Sequence, residues 1–357
     1  MKRMIRITSI ALLFAICTTI IFTGCAKKEE ISDENSSLTS TIQVVPEDEL
    51  PKGGVENPLT GLSMDKNYQK DRPIAVMINN IEQAQPLLGV SQADLMYECL
   101  VEGGITRIMA VFQNPRDIEM IGSIRSARPD FINLASGLDA IYMHIGGSEE
   151  ADRMMRNGAV DEFDLGAYSD MFWRDQTRRN NLGYEHSAVT SGNKLVDGIQ
   201  KEGTRTKMKS SYKYQPEFSK DSSVKNGIEA KKVTVTFSNY KTTTFTYDEL
   251  KKTYLVSQFG EKQMDANQNV QNSKQNVLLL SVRSYEVDSE GHMGMDLVGG
   301  SGSGKYLNGG KAVDIRWSKK SASAPISYQT SDGKELKLMP GQMYICMVPL
   351  QMPIVVG

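Results

Sequence analysis

The chain is poor in the residues that most often announce a chemistry. Its 357 residues include four cysteines and three histidines. No two cysteines stand at the short spacing of a zinc site. His144, His186 and His292 are too scattered to give metal-ligand spacing. No metal and no cofactor is therefore expected. There is no excess of positive charge either: the formal net charge is −2. That argues against nucleic-acid binding, which depends on neutralising phosphates, and against electrostatic adhesion to anionic lipid. No Gly-x-Ser-x-Gly elbow is present, so Ser148 with His144 and Asp139 makes a poor nucleophilic triad. No internal repeat and no pair of similar α/β lobes is visible, which weighs against a transporter's substrate-binding component.

What is present begins at the amino terminus. Lys2, Arg3 and Arg6 precede an apolar run from Ile7 to Phe22, followed by Thr23-Gly24-Cys25. A positive start, a short apolar stretch and small residues before a cysteine match an export signal ending in a lipobox. Phe22 departs from the aliphatic residue commoner at that place. The run is too short and too abruptly ended for a membrane span. The expectation is cleavage before Cys25 and lipid on Cys25; an uncleaved single-helix anchor is the alternative. Either way the remaining chain is expected at the outer face of the cytoplasmic membrane. Loss of the signal removes three positive charges and no acid, leaving a more acidic protein.

Residues 25–56 are polar and charged and read as a disordered tether, about 100 Å long if fully extended. Residues 57–204 alternate apolar runs (Pro73–Ile78, Leu95–Val101, Ile105–Phe112, Ala140–Ile145) with expected helices opening at Arg128-Pro129, around Glu149–Arg156 and over Asn193–Gln200. This predicts a mixed α/β domain. Residues 205–230 read as a linker or irregular excursion, and 231–357, with short β-branched runs, as a smaller β-rich domain. Cys99 and Cys346 lie in apolar stretches of the two halves, as two buried free thiols or as an interdomain disulfide.

The most specific local string is Tyr97–Arg107. Apolar runs flank Gly103-Gly104, which suits a two-residue hairpin turn. Glu102 then pairs with Ile105 and Leu100 with Arg107, so that Glu98, Glu102 and Arg107 share one face. Two readings stay open: a cross-strand ion-pair cluster that fixes register, or an acid–base site. Glu98 and Glu102 would stand about 13 Å apart on one strand, too far for a glycosidase pair. One buried, protonated carboxyl still suffices for a lytic transglycosylase. Next, Gly122–Pro129 puts Arg125, Ser126 and Arg128 before a helix start. They serve either to bind an anion or to pair with the domain's own acids. His144, at a strand end before Gly146-Gly147-Ser148, is either a proton shuttle or a hydrogen-bonded strand-end residue. Met171–Asp175 through Arg178 to Ser187 mixes aromatics and arginines, as a stacking surface or as packing around Phe172 and Trp173. Gly299–Lys305 resembles a phosphate loop, but Tyr306 replaces the metal-binding hydroxyl, so a flexible turn is expected.

In combination, the lipobox, Asn57–Gly61, Glu102–Arg107, Ile124–Pro129, His144–Ser148, Ile315–Lys319 and Pro340–Ile345 resemble the YerB-like lipoproteins of Gram-positive bacteria. The resemblance runs from about Asn57 to the end and implies an N-terminal α/β domain followed by a smaller one. It carries no secure activity.

Two functions are expected from location and site chemistry. The first is cleavage of peptidoglycan glycan strands in lytic-transglycosylase manner. Glu102, then Glu98, would act as general acid with His144 assisting. Arg107, Arg125, Arg128, Ser126 and Ser148 would hold the polymer. The second is a non-catalytic cell-envelope lipoprotein that binds an anionic ligand or a protein partner through the same residues.

Overall fold

The computed structural model describes residues 54–357 except Gln215, Ser223 and Lys225. The expected signal, Cys25 and most of the expected tether lie outside the described residues.

The first half supplies β1 (Ile74–Asn80), β2 (Leu95–Leu100), β3 (Thr106–Phe112), α1 (Pro129–Gly137), β4 (Ile141–His144), α2 (Glu149–Arg156), β5 (Asp161–Asp164), α3 (Gln176–Leu182) and α4 (Gly192–Lys201). The second half supplies β6 (Lys232–Thr236), β7 (Thr242–Asp248), β8 (Thr253–Gln258), β9 (Asn276–Val282), β10 (Ser301–Asn308), β11 (Lys311–Ser318), β12 (Met343–Pro349) and β13 (Ile354–Val356). Shorter strands fill the connections.

One eleven-stranded sheet runs β11-β10-β9-β12-β2-β3-β1-β4-β5, with short strands added at and beside β11. β12, from the far end of the chain, lies parallel to β2 on one side and to β9 on the other. One face of this sheet (Val76, Ile78, Met96, Ile108) packs against α4 and a second sheet of order β8-β7-β6-β13, through Leu195, Val233, Phe245 and Val256. The opposite face (Met77, Tyr97, Met109) is covered by Phe131, Ile132 and Ala135 of α1 and by Ala151 of α2.

The helices start where local chemistry favours them. Pro129 occupies the first turn of α1, where its missing N–H costs nothing. Ser148 caps α2 by accepting from Ala151 N at 3.3 Å, and acids fill the first turn while Arg153 and Arg156 sit in the last. Ser191 caps α4 in the same way.

The fold class differs from the expectation. The protein is mostly β, with 41 % strand, 16 % helix and four α-helices among the described residues, rather than a mixed α/β domain with a β-rich appendage. The expected strands and helices of the first half do form. However, β2 and β3 are joined by a tight turn, and one face of the sheet is covered largely by another sheet, with α4 the helix named on that side.

Two further corrections are local. Gly299–Lys305 is no flexible turn: from Ser301 it belongs to β10, paired with β11 from Ser301 and with β9 from Gly304. A Cβ on Gly302 would lie 2.6 Å from Ser281 O and from Trp317 Nε1, so glycine there permits close backbone approach. The second concerns the β2–β3 turn. It takes five residues, Val101–Ile105, with Gly103 and Gly104 both at positive φ, and Leu100 pairs with Thr106 rather than Arg107. A slip of one residue turns a strand's side chains to the other face. Glu98 therefore shares its face with Ile108, and Arg107 shares the other with Cys99. Cys99 and Cys346 are both buried and free.

Candidate functional site

The carboxyl ends of β1, β2 and β4 and the start of β3 meet at one end of the large sheet. The segment between Ile124 and Pro129 threads through them. Arg125 N donates to Met77 O at 3.0 Å, Ile145 N to Arg125 O at 3.1 Å, and Ala127 N to Gly146 O at 2.9 Å. Three strings distant in sequence, around Glu102, Arg125 and His144, are thus brought together. Strand ends are where ligands tend to sit in open sheets.

Glu102 is the hub. Arg128 grips it with two bonds, Nη2 to Oε1 at 2.5 Å and Nε to Oε2 at 2.9 Å, and Arg107 Nη2 reaches Oε1 at 2.5 Å. Arg107 also donates to Ser126 O and Arg128 to Ala127 O, so backbone carbonyls fix both guanidinium groups. Burial pushes the Glu102 carboxyl up, but the bond from Arg128 and the charges of Arg107 and Arg128 outweigh it and hold it below the usual carboxylate range. Arg107 is itself lowered to about 10, first by burial and then by Arg128 beside it.

Arg125 is placed differently. Its side chain is 24 % exposed, and its acidic partner is Glu185, 72 % exposed, at 3.2 Å. Glu185 sits in the turn Tyr184–His186 that follows α3. Next to it, the Asn79 amide donates to His186 Nδ1 at 3.0 Å. Burial, and after it the charge of Arg125, lowers His186 below its ordinary value. An unprotonated Nδ1 accepting from Asn79 fits that direction.

Glu98 does not join this cluster. It is fully buried on the other face, between the two sheets. It accepts from Asn80 Nδ2 (2.9 Å), Thr106 Oγ1 (2.7 Å), Thr243 Oγ1 (2.8 Å) and Tyr344 OH (2.8 Å), with Lys241 Nζ at 3.7 Å. Lys241 is lowered to about 8, chiefly by burial, with Glu98 opposing. This network ties β1, β2 and β3 to β7 and β12. His144 is also enclosed: Nδ1 donates to Gly146 O at 2.8 Å and Nε2 faces Glu162 at 2.9 Å. Ser148 is spent on its helix cap. Ser126 is only half-buried at the site.

The arrangement can bind an anion; neither expected acid is placed as a free proton donor, since Glu102 is pinned between guanidinium groups and Glu98 is out of reach of solvent. Sequence reasoning did not find Glu162, which braces His144, or Asn79. Neither carries a motif, and strand pairing alone brings them in. Glu185 and His186 lay in the aromatic–arginine stretch, but nothing in the sequence tied them to Arg125.

Comparison with known proteins decides the family. The model described as "Protein of unknown function (DUF3048) N-terminal domain" matches residues 59–205, and its C-terminal counterpart matches 233–345. The chain belongs to the DUF3048 family. It is 27 % identical to a protein of Bacillus subtilis (strain 168) named "Putative lipoprotein YerB", over 98 % of this chain and 96 % of that one. The crystal structure of the YerB protein from Bacillus subtilis superposes with a TM-score of 0.73 at 28 % identity, covering 84 % of this chain and 99 % of that one. The YerB-like resemblance read from the motifs is thereby shown.

Proposed function

We propose that this DUF3048 protein is a lipid-anchored lipoprotein, held by Cys25 at the outer face of the cytoplasmic membrane. Its strand-end arginines bind a carboxylate-bearing envelope ligand without turning it over. The lipobox and the name of the Bacillus subtilis relative support the anchor. The pairing of Arg125 with Glu185 carries the binding reading. A guanidinium about a quarter exposed (24 %), next to two more that share one partly buried carboxylate, is covered by an acid that is itself mostly in water. Exposed pairs of this kind are weak, about 0.2–1 kcal/mol. An incoming carboxylate takes the place of Glu185 on Arg125 at little cost and gains bidentate geometry.

Peptide carboxylates of peptidoglycan have the required chemistry. Glycan cleavage is less well supported, because neither expected acid is placed as a free proton donor. The test incubates the full-length lipoprotein in detergent with purified cell-wall sacculi. Saturable sedimentation with the wall and no released muropeptides is expected, with Arg125→Ala weakening retention at least tenfold. Soluble muropeptides from the wild type, lost in Glu102→Gln, would restore the enzymatic reading. Retention unchanged in Arg125→Ala would remove the binding one.

A further inference from the structure

The opposite end of the same sheet holds a second feature. A cavity of about 570 Å³ opens where β1, β4 and β5 begin. Five cationic side chains line it, Arg72, Arg205, Lys209, Lys213 and Lys320, against two acids, Asp139 and Asp161. They come from three distant stretches of chain, which the fold brings to one hollow.

The two arginines are already committed. Arg72 is buried and donates to Asp139 O, Ala140 O and Arg205 O, with Nη1 on Asp161 at 2.5 Å. Arg205 grips Asp139 with both terminal nitrogens, at 2.6 and 2.9 Å. Asp139 is consequently held below its ordinary value: burial raises it, but Arg205, the Lys209 backbone N–H and Arg72 prevail. The ion pairs fix the wall of the cavity and neutralise both acids. Three ammonium groups then remain in surplus, and Lys209 Nζ lies no nearer than 3.9 Å to Asp139. Ser136, Ser211 and Ser323 add hydroxyls to the lining.

Ammonium groups on flexible stems bind as point charges from any direction, which suits tetrahedral oxyanions better than planar carboxylates. The volume is far larger than one phosphate needs. We infer that this cavity is a binding site for an anion bearing more than one phosphate group, such as a phosphate-containing polymer chain. The site is separate from the strand-end arginines: it lies at the other end of β1 and β4 and shares no residue with them.

The test titrates the full-length lipoprotein in detergent with tripolyphosphate and with orthophosphate by calorimetry, and measures co-sedimentation with phosphatidylglycerol vesicles. Saturable tripolyphosphate binding is expected, weakening steeply with salt, with orthophosphate at least tenfold weaker. The double variant Lys213→Gln/Lys320→Gln should raise the tripolyphosphate Kd at least tenfold while its thermal unfolding stays unchanged. Lys201→Gln, outside the cavity on α4, should leave it alone. Absence of saturable binding, equal binding of orthophosphate, or an unaffected double variant would each overturn the inference. So would vesicle binding that depends on Lys213 and Lys320 without competition by tripolyphosphate, because a membrane surface would then be the occupant.

Discussion

Glu102 illustrates how one side chain's surroundings decide its role. A carboxyl in an apolar hollow stays protonated and can donate; the same carboxyl between Arg107 and Arg128 is an ionised lock. Its folded-state value lies below the unfolded one. The stability it contributes is therefore fully present above the unfolded value of about 4.3 and is lost as pH falls through the lower folded value. Glu102→Gln is expected to destabilise the protein by about 1.5–3 kcal/mol at pH 7, the range for hydrogen bonds to charged groups. The gap to wild type should narrow towards pH 3. Urea unfolding of both proteins at the two pH values measures this. An equal gap at both would mean that lost packing, not charge, is responsible. Freeing Arg107 and Arg128 should at the same time tighten wall retention, since the internal competitor for the guanidinium groups is gone.

At the level of elements, the sequence was legible wherever a local signal sufficed. Pro129 after Arg128 marks the start of α1, and the β-branched and apolar runs mark the strands. What failed was register. Gly103-Gly104 announces a turn, but nothing local says that it takes five residues, and that one miscount sent Glu98 to the wrong face. The strings around Glu102, Arg125 and His144 were rightly singled out, yet their partners Glu162, Asn79 and Glu185 depend on strand pairing that no local pattern records. Ser148, read beforehand as a ligand contact, makes a sharp case: its hydroxyl is used by α2. Ser148→Ala is expected to cost about 1 kcal/mol of stability, the usual worth of an N-cap. Wall retention should not change. A thermal melt beside the sedimentation assay separates the two roles; weakened retention without a change in melting would return Ser148 to the ligand site.

The whole molecule is held together by a strand from its far end. β12 pairs with β2 of the first half and β9 of the second, and Tyr344 on it reaches Glu98 on the neighbouring strand β2. Without β12 the long edge of β2 is left with unpaired N–H and C=O groups along Leu95–Cys99, and Glu98 loses one of its donors. The second sheet depends on the same interior: Thr243 of β7 and Gln258 of β8 both bond to Glu98. The two family-matched segments therefore share one core across the sheets, although they are separate in sequence. A chain ending at Gln342 is expected to lose cooperative unfolding, and a 57–230 fragment to show none of its own. The full chain should unfold in a single transition with coincident fluorescence and circular-dichroism curves. A 57–230 fragment that melts cooperatively would show that the first half closes its core without β12, and that the burial of Glu98 is a consequence of docking rather than a condition of folding.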